Sequence, residues 1–132
     1  MRLPDWPERL IEFIEARRAR AFSWGSNDCA LFYADAVLAM TGEDRAKPWR
    51  GYKTARGAAA RITKAGGLRA LVESAGVTEK PVGFAQRGDG VLALLNDRET
   101  FGVVVGDGNW CGPGEFGLVF RPMSEAIAVF TD

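Results

Sequence analysis

Cys29 ends the polar segment Phe22-Ser-Trp-Gly-Ser-Asn-Asp28 and begins the apolar run Cys29-Ala-Leu-Phe32. A thiol placed where a helix begins meets the positive end of the helix dipole and several free backbone N–H groups. Both favour thiolate, and so nucleophilic chemistry. The ordinary partner of such a thiol is an imidazole that takes its proton. This sequence contains no histidine. The residues around Cys29 therefore supply half of a cysteine-hydrolase site. Asp28, next to the thiol, is suited to cap the helix, and its charge works against thiolate. Trp24 suits either the wall of a substrate groove or a staple holding the loop to the preceding helix. Asp97, Glu99 and Asp107 are acidic residues further along that could face the thiol. Of these only Asp107 is a plausible substitute base, and its Asp-Gly pair gives it the stronger claim as a turn residue.

Cys111 lies in Gly108-Asn-Trp-Cys-Gly-Pro-Gly114, which reads as a glycine-rich loop with Trp110, Pro113 and Phe116 as exposed aromatic and apolar character. Such a loop suits an interface or a groove wall. The two cysteines have no metal-ligand spacing and no CxxC pair, so neither a metal site nor a cofactor is expected.

The elements that position these residues are legible as patterns. Asp5-Trp-Pro-Glu8 has the form of a capping box with proline in the first turn, opening a helix to about Arg20. Leu10, Phe13, Ile14 and Arg17 share a face at helical spacing, and Arg17, Arg18 and Arg20 read as a solvated helix end. A second helix runs from about Asp28 to Met40, with Ser26 or Asn27 as its cap. It is apolar all round, which means burial, and Gly42 closes it. Thr54–Ala65 and Leu68–Ser74 read as two further helices, separated by Gly66-Gly67. From Val82 onward short apolar runs alternate with turn residues. Strands are expected over 91–95, 101–105, 118–120 and 127–130, with turns at Asn96-Asp-Arg98 and Asp107-Gly108. Helices first and an antiparallel sheet second make an α+β domain over residues 1–132.

Composition sets outer limits. The chain has 132 residues, 47% hydrophobic and 26% charged, with 17 basic and 17 acidic residues. These are globular proportions. Residues 1–70 carry 13 Lys/Arg against 8 Asp/Glu, and residues 71–132 carry 4 against 9. That asymmetry can orient docking, but it is too weak for a nucleic-acid-binding domain. The N-terminus Met1-Arg-Leu-Pro-Asp5 has no apolar signal core, and no apolar run reaches membrane-span length. Synthesis and folding in a bacterial cytoplasm are expected, where a disulfide is disfavoured.

The order of these motifs resembles the papain-like NlpC-type cell-wall peptidases. In that superfamily an Asp-Cys pair starts the nucleophile helix, a Gly-Asp precedes the first strand, and the next strand carries His-x-Gly followed by apolar residues and a glycine. Here the corresponding residues are Asp28-Cys29, Gly88-Asp89 and Phe101-Gly-Val-Val-Val-Gly106. A closer likeness is to short proteins of phage and prophage tail-gene clusters. It rests on Trp24-Gly25-Ser-Asn-Asp28-Cys29-Ala30, Ala34-Asp35-Ala36-Val37 and Thr41-Gly42-Glu-Asp44, with Gly51-Tyr52 and Gly66-Gly67 also fitting. Setting Gly102 against the family glycine puts Thr100 where the histidine belongs. A Thr hydroxyl is no general base near neutral pH.

The resemblance implies a papain-like α+β fold in which a buried, cysteine-bearing helix packs on the sheet. It also implies a tail-associated binding or structural protein, with other phage tail proteins and cell-wall peptides as partners and the virion tail as its destination. The alternative is a thiol hydrolase or acyltransferase that uses Cys29 with a non-histidine base or a base supplied by a partner. In that case the resemblance implies stem-peptide amide bonds as substrate.

Overall fold

The computed structural model describes residues 1–132. Helix α1, Trp6–Arg17, buries Leu10 and Ile14 and turns its charged side to solvent. It ends earlier than the sequence suggests. The capping box does not form either: the Asp5 carboxylate accepts from Arg9 Nε at 2.8 Å instead of from the helix start. Arg17 is also not a solvated end, because it is ion-paired with Asp35 at 2.8 Å.

Helix α2, Cys29–Thr41, is the spine of the core. Ala30, Leu31, Phe32, Tyr33, Ala34, Ala36, Val37 and Met40 are all buried. One side lies on α1 and the other on the sheet, which is why the sequence carries no polar face. Gly42 closes it in the left-handed region at φ 80°. A short 3₁₀ turn, Lys47–Trp49, leads to α3, Ala55–Ala65, capped by the Thr54 hydroxyl, which accepts from Gly57 N–H. The last helix, α4, covers Leu68–Glu73.

Six strands follow: β1 Thr78–Lys80, β2 Gly90–Leu95, β3 Arg98–Gly106, β4 Asn109–Gly114, β5 Gly117–Pro122 and β6 Ala126–Thr131. They form one antiparallel sheet in the order β1-β6-β2-β3-β4-β5. The β2–β3 turn places Asn96 and Asp97 at φ 52° and 62°, and the β3–β4 turn places Asp107 and Gly108 at 55° and 75°. These are the positive dihedrals that a tight hairpin demands.

Two strands were not legible as strands. Strand β1 is short and mostly exposed. Strand β4 is the run that reads as a glycine-rich loop, and it pairs on both sides, with β3 and with β5.

The two faces of the sheet differ. Leu92, Phe101, Val103, Cys111 and Phe130 join the main core with α1 and α2. Val91, Ala93, Val104 and Trp110 make a small second cluster. Residues 18–22, between α1 and α2, run along the β5 edge. Leu118 N–H donates to Arg18 O at 2.9 Å, and Phe22 N–H donates to Gly114 O at 2.8 Å.

Candidate functional site

Cys29 is the first residue of α2. The side chain capping that helix is Asp28, not Ser26 or Asn27. Its Oδ1 accepts from Leu31 N–H at 3.0 Å, and its Oδ2 accepts from Gly25 N–H at 3.0 Å and from the Tyr52 hydroxyl at 2.6 Å. Asp28 is thus buried and fully engaged. Burial, followed by the hydrogen bond and charge of Asp28, pushes the Tyr52 hydroxyl pKa well above its ordinary value. Tyr52 therefore remains a donor throughout the physiological range.

Gly25 sits at φ 82°, and a Cβ there would run into the Tyr52 carbonyl. The Trp24-Gly25 step of the loop thus depends on the absence of a side chain.

Asn27 is fully buried and plays a different part. Its amide donates to Arg20 O and Ala21 O at 3.2 and 3.0 Å, and its oxygen accepts from Arg17 Nη1 at 3.0 Å. Arg17 reaches Asp35 on α2, Asp35 pairs with Arg50, and Arg50 pairs with Asp44 at 2.9 Å. This chain of ion pairs ties α1, the loop, α2 and the segment after it into one frame. It accounts for Asp35 in Ala34-Asp35-Ala36-Val37 and for Asp44 in Thr41-Gly42-Glu-Asp44. Tyr52 and Arg50 carry no signal by residue type. Only the motif around Gly51-Tyr52 points to them.

The thiol is not the activated one that its place at a helix start suggests. Burial pushes the Cys29 pKa up to about 11, from an ordinary 9.0. The Asp28 charge adds to the rise. The polar backbone of Phe101, Cys29 and Ala30 beside the sulfur pulls the other way, but desolvation prevails. The dipole argument is sound in sign and too small here in magnitude.

An open groove of about 750 Å³ reaches the thiol. Trp24, Cys29, Thr100 and Trp110 all line it, so four of the sequence-predicted site residues share one surface. Asp28 lies behind them. Trp24 stacks edge-on against Phe22 at 4.8 Å, and both side chains face the groove. Thr100 lies on β3 opposite Ala93. Its hydroxyl makes only a marginal 3.5 Å contact with Arg98 O.

Trp110 corrects the loop reading: it is a strand residue, 1% exposed, and its ring lies over Gly102. A Cβ at Gly102 would collide with that ring and with the Cys111 carbonyl. Phe116 is 88% exposed at the β4–β5 turn. Cys111 is buried in the core as a free thiol, its pKa pushed up to about 12 by burial. Asp107 belongs to the β3–β4 turn and is not a wall of the groove. Glu99, one of the acidic residues the sequence offers, also lines the groove, whereas Asp97 does not. Polar residues of the groove that the sequence did not single out are Asn96, Arg98, Glu115 and Arg121, the last held by Glu125 at 2.6 Å. No group of His, Cys, Asp and Glu residues has the arrangement of a metal centre.

A protein family described as a domain of unknown function, DUF6950, matches residues 1–131, and the chain belongs to that family. No curated protein matches. Among solved structures, the crystal structure of the NlpC/p60 domain of the peptidoglycan hydrolase SagA is similar, at a TM-score of 0.58 and 16% identity. The match covers 96% of this chain and 98% of that one. The fold is therefore papain-like: four helices and a six-stranded antiparallel sheet arranged as in an NlpC/p60 domain.

Proposed function

We propose that this chain is an NlpC/p60-like domain in which the groove at Cys29 binds a peptide without cleaving it, and that it serves as a part of a phage or prophage tail. One observation carries the first half. Cys29 and Thr100 line the same groove, the thiol is held near pKa 11, and Thr100 can neither take the thiol proton nor give one to a leaving amine. Loss of that proton transfer costs about 10²- to 10⁴-fold in rate. What survives is shape: an aromatic-walled groove on a rigid frame, suited to hold an extended chain.

Cell-wall peptides as ligand follow from the likeness to a peptidoglycan hydrolase domain. The tail role rests on the Trp24-Gly25-x-x-Asp28-Cys29-Ala30 motif and its companions. On this reading residues 1–132 act as one domain, made in the bacterial cytoplasm and carried to its place in the virion by neighbouring tail proteins. Neither nucleic acid nor membrane insertion belongs to this role.

The second reading, a thiol hydrolase with a base from a partner chain, has one observation in its favour. The groove still opens on Cys29, and the polar backbone beside the sulfur still favours thiolate. One experiment separates the two. Purified protein is incubated with cell-wall peptide fragments, and both binding and fragment masses are followed for the wild type and for Cys29→Ser. Binding that survives Cys29→Ser, with no new fragments, is the expected result. Fragments that appear with wild type and vanish with Cys29→Ser would establish the hydrolase and sink the binding-only reading.

A further inference from the structure

A second groove lies away from Cys29, between the 3₁₀ turn and the helices α3 and α4. Its volume is about 590 Å³, and its walls include Pro48, Trp49, Arg61, Lys64 and Leu71. No carboxylate lines it. Arg61 and Lys64 stand three residues apart on α3, and so on one side of the helix. Neither has an acidic partner. The Arg61 guanidinium is braced over the Tyr52 ring at 5.8 Å, which limits the orientations it must give up on binding.

Trp49 supplies an aromatic wall beside these two cations. It is 7% exposed, so its indole signal reports on an occupant of the groove without itself being a contact.

The surroundings reinforce the sign. From residue 45 to residue 72 the sequence has eight Lys/Arg and no Asp/Glu. Arg45, Arg50 and Arg69 are ion-paired. Lys47, Lys53 and Arg56 are not, and they add to the field around the groove. The positive half of the molecule is thus concentrated on one segment, and this groove lies in it.

We propose that this groove is a binding site for an oxyanion, a phosphate or carboxylate group, held by Arg61 and Lys64 beside the Trp49 ring. A guanidinium offers two parallel donors to such a group, and an ammonium adds a point charge. The site does not depend on how the Cys29 groove is used.

The test is ¹⁵N NMR of the four indole N–H signals, with Trp49→Phe identifying the Trp49 signal. Inorganic phosphate and a capped oligoglutamate peptide are titrated separately at constant ionic strength, with sodium chloride as the control. The expected result is a saturable shift of the Trp49 signal with at least one of the two probes. The combined change Arg61→Gln and Lys64→Gln weakens it about tenfold or more, while the Trp6, Trp24 and Trp110 signals stay in place. A response to phosphate alone or to oligoglutamate alone identifies which oxyanion the site prefers. The proposal fails if neither probe moves the Trp49 signal, if chloride moves it equally, or if the double variant binds as the wild type does.

Discussion

At the scale of single residues, the chemistry of Cys29 is decided by solvent. With a pKa near 11, only about one part in three thousand of the thiol is ionised at pH 7.5. An ordinary thiol at 9.0 has about a hundred times more thiolate at that pH. Alkylation of Cys29 in a Cys111→Ser background should therefore rise with pH to a midpoint near 11, and should be about a hundredfold slower at neutral pH than for a free cysteine peptide. A midpoint at or below 8 would mean that the folded site makes thiolate after all. Gly102 offers a second check. Gly102→Ala forces the Trp110 ring and the Cys111 carbonyl to move, at a cost of about 1–3 kcal/mol in denaturant unfolding. Cys29, Asp28 and Trp24 could be picked from the sequence because residue type and spacing carry their chemistry, whereas Thr100 stood out only through the resemblance that sets Gly102 against the family glycine. The sign of the thiol shift could not. It depends on how closely β3 and Asp28 enclose the sulfur, and that is a property of packing.

Elements explain why the loop before α2 keeps its shape. The Asp28 carboxylate holds donors from the helix, from the loop and from Tyr52. Tyr52→Phe removes one charge-assisted bond from a buried carboxylate and should cost about 1.5–3 kcal/mol. Asp28→Ala removes the cap as well and leaves three donors unmet, so it should cost more than Tyr52→Phe; thermal melts of the two variants rank them. If Asp28→Ala proves the milder, the cap is not what fixes the loop. Helices α2, α3 and α4 were legible because glycines and caps bracket apolar runs. Strand β4 was not, since its Asn109-Trp-Cys-Gly-Pro-Gly114 sequence has turn composition. Its two neighbours impose the strand by pairing with it on both sides, and Pro113 and Gly112 fit because the buried Trp110 beside them anchors the register. The capping box failed for a related reason: Arg9 offered the Asp5 carboxylate a charged partner one turn away.

Across the whole molecule, Arg2 gathers residues far apart in sequence. It donates to Asp132 at 2.7 Å, lies 3.5 Å from the buried Asp89 and covers the Trp6 ring. Lys80 meets Asp89 from the other side at 2.6 Å. Burial raises the Asp132 pKa, but the hydrogen bonds and charge of Arg2 outweigh it, so the group lies below its ordinary 3.8. A depressed carboxylate pKa stabilises the fold above about pH 4 and ceases to do so as the pH falls through the folded value. Arg2→Gln should therefore lower stability by about 1–3 kcal/mol at pH 7. The wild-type and variant melting curves should converge as the pH falls through the depressed folded-state pKa of Asp132. Equal melting temperatures at pH 7 would remove Arg2 from the account.

The connector along the β5 edge has a kinetic consequence. Its bonds from Leu118 to Arg18 and from Phe22 to Gly114 flank the only covalent approach to the Cys29 loop from α1. Peeling the connector away frees the Leu118 and Phe22 amides together and loosens the loop that encloses the sulfur. Deuterium uptake at those two amides and slow labelling of Cys29 should then share one opening free energy, so that a single fluctuation sets the clock for all three.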